Sequence, residues 1–333
     1  MSSQILYALP YLKEALLSQL KDAASGWAEL KIIDHQIPEA EYRTHLECAD
    51  FVVGNPKAEW LEGTPVRVLQ LGSAGFDGYF GHGIESRPNF TLCNLKGAAP
   101  IGIAENTLSM MLFFSRKILL HMQGKQNRQF NRTIWNGEEF FYGELNGSTI
   151  CVVGIGSTGS QIARVCSGLQ MRVIAVDLEG IKTPDWVEKL YTTDELYDAL
   201  GEADHVVLAV IGGPTTQDLV DNRFLDAMKP GAYLYNSSRG TVIVEHELIE
   251  ALKNGHLAGA GLDVFREEPL PPDSPLWDLD NVIITPHIAC IATNYGVRMC
   301  DIFLKNLNNF RNGLPLFNIV PELSSTEVHP KAS

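Results

Sequence analysis

The stretch from residue 149 to residue 177 constrains the fold more than any other part of the chain. An apolar run, TICVV, leads into GIGSTG, and a helix-forming segment then connects it to a second apolar run, RVIAVD. Gly154, Gly156 and Gly159 therefore have GxGxxG spacing where a strand turns into a helix. The first glycine permits a tight turn, the second lets the backbone approach a pyrophosphate, and the third lets helix and strand pack closely. We therefore predict a β–α–β unit that binds a dinucleotide.

The residues around this turn also indicate which dinucleotide is bound. Ser157 and Thr158 begin the predicted helix, where free N–H groups and the helix dipole favour a phosphate. Asp177 ends the second strand, where its carboxylate can accept hydrogen bonds from a ribose diol and repels a 2′-phosphate. The pattern favours NAD over NADP. The alternative is a structural turn with an incidental aspartate.

The rest of the chain alternates strand-like and helix-like segments, which is typical of parallel sheets with helices on their faces. Residues 1–98 contain five strand candidates: QILYAL, LKIID, FVVG, VRVLQL and FTLC. Residues 148–287 contain six: STICVVG, RVIAVD, HVVLAV, AYLYNS, LAGAGLDV and NVIIT. One helix is predicted over 105–122 and a last one over about 293–311. We predict an α/β fold with two doubly wound parallel sheets.

Composition and charge argue against several classes of partner. Asp and Glu total 40 against 26 Lys and Arg, and the net charge of −14 disfavours nucleic acid and acidic membranes. No apolar run is long enough to span a bilayer. The six cysteines are scattered with no pair at zinc spacing, so we expect reduced thiols, no metal site and a cytoplasmic location.

Three charged residues follow predicted strands in the second half of the chain. The fourth strand there ends in NSSRG, which contains Arg239, and the fifth ends at Asp263. The sixth, NVIIT, is expected to be fully buried; Pro286 ends it, and His287 follows. A histidine there could be a packing residue or a proton donor. Because ligands bind outside the carboxyl ends of the strands in an open parallel sheet, the three side chains together predict a site.

With these residues in place, the sequence resembles the D-isomer-specific 2-hydroxyacid dehydrogenases over nearly its full length. The matching stretches are GIGSTG with Asp177, NSSRGTVIVEHELIEALKNGHLAGAGLDVFREEPLPPDSPLW, and NVIITPHIA. The resemblance implies two Rossmann-like domains, with the cofactor domain inserted into a discontinuous substrate domain. It implies a substrate domain of residues 1–98 and 290–333 and an NAD-binding domain of residues 99–289.

The resemblance also implies a role for each residue of the site. Arg239 would bind the substrate's carboxylate and keto oxygen, His287 would be the general acid/base, and Glu268 would pair with that histidine. The backbone N–H groups expected to bind the same carboxylate belong to Ser73, Ala74 and Gly75. The residues expected to hold the cofactor are Gly154, Gly156, Ser157, Thr158, Gly159, Asp177, Ser237, Ser238 and Asp263.

The chemistry of the family needs these residue types. A protonated imidazole supplies a proton, a carboxylate beside it stabilises the imidazolium, and a guanidinium grips a carboxylate bidentately. We expect an NAD-dependent enzyme that reduces a small 2-oxo acid of the glyoxylate, hydroxypyruvate or pyruvate type to a D-2-hydroxy acid. The alternative is an NAD-sensing binding protein of the corepressor type, without significant turnover.

Two further expectations concern the substrate and the assembly. The loop LQLGSAGFDGYFGHGIES has no Lys or Arg between Arg67 and Arg87, which predicts a small uncharged side group on the substrate. The resemblance implies a homodimer through the cofactor domain, with the connector 121–145 supplying much of the interface. Trp135 in that connector would either reach the neighbour's site or act as a core or interface anchor without a substrate role.

Overall fold

The computed structural model describes residues 3–10, 12–130 and 142–324. The chain divides into two compact units, Met1–Ala99 with Ala292–Ser333 and Pro100–Ile291, so the second unit is an insertion in the first. Each unit contains one parallel sheet flanked by helices. The predicted α/β fold with two doubly wound sheets is confirmed.

The first unit is built on a five-stranded parallel sheet in the order β2-β1-β3-β4-β5. Its strands are β1 (Ser3–Ala8), β2 (Ala28–Ile32), β3 (Phe51–Gly54), β4 (Val68–Gln70) and β5 (Thr91–Cys93). Its helices are α1 (Glu14–Ala24), α2 (Glu39–Leu46) and the C-terminal α9 (Tyr295–Asn312). All five predicted strands and the last predicted helix are confirmed.

Helices cover both faces of this sheet because its central strands are apolar on both faces. In β1, Ile5 and Tyr7 belong to the core beneath α1 and α9, whereas Leu6 and Ala8 belong to the core beneath α2. Alternate residues of a strand point to opposite faces, so a continuous apolar run requires cover on both sides. The two hydrophobic clusters are the physical basis of the doubly wound arrangement.

The second unit contains a seven-stranded parallel sheet in the order β12-β11-β10-β9-β6-β7-β8. Its strands are β6 (Thr149–Val153), β7 (Arg172–Asp177), β8 (Lys189–Thr192), β9 (His205–Leu208), β10 (Ala232–Asn236), β11 (Leu257–Leu262) and β12 (Val282–Ile284). Its helices are α3 (Pro100–Ser115), α4 (Ile118–Gln126), α5 (Ser157–Gly168), α6 (Leu196–Glu202), α7 (Asn222–Ala227) and α8 (Glu245–Lys253). The order reverses at β6, which has β9 on one side and β7 on the other.

Three details of this unit differ from the sequence prediction. The edge strand β8 was not predicted, because KLYT is only four residues long and begins with a charge. β12 is half-buried rather than fully buried, because it is the other edge strand and pairs only with β11. The single helix predicted over 105–122 is wrong: Lys117 has φ +47° and separates α3 from α4.

No helix of the described residues is long and apolar enough to cross a membrane.

Two glycines of β11 let α3 lie directly on the sheet. A Cβ on Gly261 would be 2.7 Å from Met110 Sδ, and one on Gly259 would be 3.0 Å from Phe114 Cε1. The first turn of α3 is equally close to the segment after β12, since a Cβ on Gly102 would be 2.8 Å from the carbonyl oxygen of Ala289. α3 therefore supports the part of the sheet that ends next to His287.

Candidate active site

The glycine turn after β6 has the geometry that its spacing predicts. Gly154 has φ +93°, a conformation that favours glycine, and a Cβ there would be 2.8 Å from the carbonyl oxygen of Ala209. A Cβ on Gly159 would come within 1.9 Å of the carbonyl oxygen of Gly154. A larger residue at Gly154 would clash with the backbone after β9, and one at Gly159 would push helix α5 away from strand β6.

The second glycine of the turn leaves open space at the start of α5. Gly156 caps this helix, and a Cβ there would meet no atom within 4 Å. The N–H groups of Ser157, Thr158 and Gly159 belong to the first helical turn and have no carbonyl within the helix to bond. This cradle of N–H groups at a helix N-terminus fits the pyrophosphate of a dinucleotide.

Asp177 lies next to the same turn, at the end of β7. Its Oδ2 accepts the N–H of Ile155 at 2.6 Å, and its Oδ1 accepts the N–H of Leu178 at 2.7 Å. Two backbone donors therefore hold the carboxylate beside the glycine turn in a fixed orientation. Each oxygen retains a lone pair for a further donor, such as a ribose hydroxyl.

The carboxyl ends of β10, β11 and β12 lie side by side at one edge of the sheet. Asn236 is in register with Leu262, and Leu262 is in register with Ile284. Arg239, Asp263 and His287 follow these three strand ends within three residues. The fold therefore brings the predicted residues of the second unit to one edge, which also carries the glycine turn.

The turn that carries Arg239 is organised by a buried asparagine that the sequence prediction did not include. Asn236 Oδ1 accepts hydrogen bonds from the N–H of Ser238 at 2.9 Å and from its hydroxyl at 2.7 Å. Asn236 Nδ2 donates to the carbonyl oxygen of Arg239 at 2.9 Å. The hydroxyl of Ser237 is buried and has no hydrogen-bond partner among the described residues. An orphaned donor at this strand end fits a polar group of a bound ligand.

Gly240 is a second residue that the prediction missed. A Cβ there would lie 1.9 Å from the carbonyl carbon of Phe265 and 2.4 Å from the nitrogen of Arg266. The segment after Arg239 therefore touches the backbone of the segment that leads to Glu268. Arg266, in the same segment, forms an ion pair with Asp218. The contact joins residues far apart in sequence, so only the glycine itself could have indicated it.

His287 and Glu268 form the central pair of the site. His287 Nδ1 lies 2.7 Å from Glu268 Oε2, and Glu268 Oε1 accepts the N–H of Phe265 at 3.0 Å. The side chains are 49% and 34% exposed, so both groups can meet a ligand from solvent. The predicted pairing of the two residues is therefore present in the structure, with the carboxylate anchored to the backbone.

Asp263 is buried, 2% exposed, and faces the turn that carries His287. Its Oδ1 accepts the hydroxyl of Thr285 at 2.5 Å and the N–H of Ile288 at 3.0 Å. Its Oδ2 accepts the N–H of Ala289 at 3.0 Å. Three internal donors occupy a carboxylate that the resemblance assigns to the nicotinamide carboxamide. Its position is beside His287, but most of its acceptor capacity is used within the protein.

The loop predicted to bind a carboxylate lies in the first unit, after β4. Its carbonyl groups are held by the protein: Ser73 O accepts the N–H of Leu95 at 2.9 Å, and Ala74 O accepts Asn94 Nδ2 at 2.9 Å. The hydroxyl of Ser73 donates to the carbonyl oxygen of Gly75 at 2.8 Å. The N–H groups of Ser73, Ala74 and Gly75 donate to no acceptor among the described residues. A loop with fixed carbonyls and available N–H groups can bind an anion.

Two remaining points concern Trp135 and metal ligands. Trp135 lies outside the described residues, so its two alternatives stay open. Within residues 3–10, 12–130 and 142–324, no group of three or more His, Cys, Asp and Glu side chains could hold a metal ion.

Comparison with known proteins relates this arrangement to one family. Residues 108–289 match the NAD-binding domain of the D-isomer specific 2-hydroxyacid dehydrogenases. The chain is 33% identical over 229 residues to a D-3-phosphoglycerate dehydrogenase of Archaeoglobus fulgidus, a match that covers 68% of this chain and 42% of that protein. It is 32% identical over 251 residues to a glyoxylate reductase of Thermofilum pendens, which covers 75% of this chain and 74% of the relative.

A solved structure shows the same likeness over nearly the whole chain. A D-lactate dehydrogenase of Aquifex aeolicus in complex with NAD and lactic acid has a TM-score of 0.78 and 25% identity. The match covers 96% of this chain and 99% of that one.

Proposed function

Because the chain belongs to the D-isomer specific 2-hydroxyacid dehydrogenase family, we propose that it reduces a small 2-oxo acid to the D-2-hydroxy acid with NADH. We propose substrates of the glyoxylate, hydroxypyruvate or pyruvate type. The observation that carries the proposal is the 2.7 Å pair of His287 and Glu268, which lies on the same sheet edge as the glycine turn and Arg239.

The catalytic roles follow from what each side chain offers. When bound, NADH supplies a hydride to the carbonyl carbon of the 2-oxo acid. Glu268 holds Nδ1 of His287, so the other ring nitrogen, Nε2, is left to donate its proton to the carbonyl oxygen. The imidazole becomes neutral as the hydroxyl forms, and a proton from solvent restores it. The reduction thus consumes one hydride and one proton per carbonyl.

Arg239 is the proposed anchor for the substrate. A guanidinium can bind a carboxylate bidentately, which a lysine ammonium cannot. The Asn236 hydrogen bond to its carbonyl oxygen and the close contact of Gly240 with Phe265 support its backbone. We propose that the N–H groups of Ser73, Ala74 and Gly75 bind the same carboxylate.

The cofactor residues are proposed on the same grounds. Gly154, Gly156, Ser157, Thr158 and Gly159 would hold the pyrophosphate at the start of α5. Asp177 would bind the ribose diol, which favours NAD over NADP. Ser237 and Ser238 would contact the nicotinamide end, where the buried Ser237 hydroxyl lacks a partner among the described residues.

The domain roles and the assembly complete the proposal. Residues 99–289 would be the NAD-binding domain, and residues 1–98 with 290–333 the substrate domain. A cytoplasmic homodimer through the NAD-binding domain is proposed, and the exposed apolar side chains of Leu112, Leu120 and Met122 on α3 and α4 support that interface. Sedimentation of the purified chain tests it, because a monomer at micromolar concentration would contradict the dimer.

Steady-state kinetics test the proposed reaction. Glyoxylate, hydroxypyruvate and pyruvate are offered in turn with NADH or NADPH, and absorbance at the nicotinamide band is followed. The proposal predicts turnover with at least one acid, with a D-configured product from pyruvate or hydroxypyruvate. NADH binding without turnover of any acid would favour the NAD-sensing binding protein instead.

A further inference from the structure

The backbone at His287 adopts a conformation that residues other than glycine seldom adopt. Its φ is +54°, in the left-handed region. Such a conformation persists only when surrounding contacts hold it. The N–H of His287 donates both to the carbonyl oxygen of Asp263 at 2.8 Å and to that of Thr285 at 3.0 Å. The position of the imidazole therefore depends on what fixes these two neighbours.

Thr285 joins three parts of this turn. Its N–H donates to the carbonyl oxygen of Leu262 at 2.9 Å, which extends the pairing of β11 with β12 by one residue. Its carbonyl oxygen accepts the N–H of His287, and its hydroxyl donates to Asp263 Oδ1 at 2.5 Å. One residue thus ties the strand end, the buried carboxylate and the histidine together.

The hydrogen bond from the Thr285 hydroxyl matters because the Asp263 carboxylate also accepts the N–H groups of Ile288 and Ala289, which follow His287. Oδ1 is shared by the Thr285 hydroxyl and the N–H of Ile288, and Oδ2 accepts the N–H of Ala289. If the hydroxyl is removed, the buried carboxylate loses one of three donors and can rotate. Rotation would lengthen the bonds to Ile288 and Ala289, and His287 lies directly before them.

We propose that Thr285 is a positioning residue for His287: its hydroxyl orients the Asp263 carboxylate so that the left-handed turn presents Nδ1 of His287 to Glu268. This inference rests on the proposed reaction, in which His287 delivers the proton. A misplacement of about 1 Å at a catalytic group can lower the rate by about 100-fold. Thr285 need not touch the substrate to have this effect.

Two variants separate the hydroxyl from the shape of the side chain. Thr285→Val keeps the branched shape and removes the hydroxyl, whereas Thr285→Ser keeps the hydroxyl. Thr192→Val is a matched control, because Thr192 ends the opposite edge strand, β8, and its hydroxyl also donates to a carboxylate, Glu195 Oε2, at 3.0 Å. Each protein is assayed with NADH and the 2-oxo acid that the wild type reduces fastest.

For Thr285→Val we expect kcat to fall by about 10-fold or more with KM changed less than about threefold. The activity should also fall off at a lower pH than in the wild type, because the imidazolium is held less well by Glu268. Thr285→Ser and Thr192→Val should keep the wild-type kcat and pH profile. A Thr285→Val variant with wild-type kcat and pH profile overturns the proposal, even if its melting temperature is lower.

Amide hydrogen exchange gives a readout that does not depend on turnover. In Thr285→Val, the peptide containing Ile288 and Ala289 should exchange faster than in the wild type, while peptides of β6 and α5 should be unchanged. Unchanged exchange at 288–289 overturns the proposed role of the Thr285 hydroxyl. If the wild type shows no turnover but the variant exchanges faster, the proposed function is contradicted and the role of the Thr285 hydroxyl in holding Asp263 is retained.

Discussion

Nδ1 of His287 lies 2.7 Å from Oε2 of Glu268, and the second oxygen of that carboxylate accepts the N–H of Phe265 at 3.0 Å. The carboxylate is therefore bound to the backbone on one side and to the imidazole on the other. The carboxylate holds Nδ1 of the imidazole, so Nε2 is left to face the substrate. An unanchored glutamate at the surface could not orient the ring in this way.

Glu268→Gln tests what the charge of this pair contributes. Glutamine keeps one oxygen to accept a hydrogen bond from His287, but it no longer stabilises an imidazolium, and its amide nitrogen cannot accept the N–H of Phe265. Reduction of the 2-oxo acid requires the protonated histidine, so activity should fall off at a lower pH than in the wild type, and kcat at neutral pH should drop about 10-fold. The pH profile of kcat/KM is the measurement. Glu267→Gln, one residue earlier and exposed, is the control, and an unchanged profile in Glu268→Gln would remove Glu268 from the mechanism.

Asp177 predicts the cofactor preference. Backbone N–H groups of Ile155 and Leu178 hold its carboxylate beside the glycine turn, so a 2′-phosphate would meet a fixed negative charge. NADH should be preferred over NADPH by at least about tenfold in kcat/KM, which corresponds to about 1.4 kcal/mol. Asp177→Asn should reduce this ratio mainly by improving NADPH, and Glu179→Gln should leave it unchanged. Equal efficiency of the wild type with both cofactors contradicts the role of Asp177.

Phosphorylated substrates are predicted to be poor. The two arginines that flank the carboxylate-binding loop are engaged within the first unit: Arg67 lies over the ring of Phe310, and Arg87 donates to the carbonyl oxygens of Leu61 and Val66. We expect 3-phosphohydroxypyruvate to have a lower kcat/KM than hydroxypyruvate or glyoxylate. Competitive kinetics with the three acids measure this ratio, and a higher kcat/KM for 3-phosphohydroxypyruvate would contradict the prediction.

One cation near the loop, Lys96, is the candidate for binding a phosphate if 3-phosphohydroxypyruvate has the higher kcat/KM. Lys96 is exposed, and Asn94 connects its N–H to the carbonyl oxygen of Ala74 through one amide side chain. If the phosphorylated acid proves to be the better substrate, Lys96→Ala should abolish its advantage and leave glyoxylate reduction unchanged. That outcome would make Lys96 the missing phosphate-binding residue and contradict the prediction of an uncharged substrate.

His205 predicts a pH dependence of stability. Burial lowers the pKa of this histidine to about 4, against the smaller opposing effect of Asp204, and its Nδ1 lies 3.1 Å from the hydroxyl of Tyr235. The unfolded chain therefore binds a proton between about pH 6.5 and pH 4 that the folded chain does not, so stability falls as the pH is lowered through this window. The loss across the whole window is about 3 kcal/mol.

The measurement is urea unfolding at pH 7 and pH 5. His205→Gln should lose less stability between the two values than the wild type, whereas replacing the exposed His246 by glutamine should not change the difference. If His205→Gln and the wild type lose the same free energy of unfolding, the burial of a neutral His205 does not account for the acid sensitivity.

The sequence predicted the two sheets and the sheet edge at which Arg239, Asp263 and His287 lie, because both depend on local patterns. Apolar runs followed by Gly154, Arg239 and His287 can be recognised one strand at a time, and parallel topology brings their ends to one edge. The edge strands β8 and β12 are harder to predict from sequence. β8 is short and β12 is half-buried, because edge strands lack the second neighbour that demands a long apolar run.

The supporting residues could not be predicted because their contacts join distant parts of the chain. Gly240 is needed only because Phe265 approaches it, and Thr285 matters only because the fold places the Asp263 carboxylate beneath it. Similarly, nothing within the run ENTLSMMLFFSRKILLHM indicates that Lys117 takes a left-handed conformation and ends α3. Composition predicts a helix there but not the residue at which it breaks.

The most direct test of the account is the kcat of His287→Ala with NADH and the preferred 2-oxo acid, measured together with NADH affinity by fluorescence titration. The account predicts that kcat falls by about 100-fold or more, because the proton donor is removed, while NADH affinity stays within about twofold of the wild type. His246→Ala, which removes an exposed histidine, should keep the wild-type rate. A His287→Ala protein that retains half or more of the wild-type kcat would contradict the assignment of His287 as the acid of the reaction.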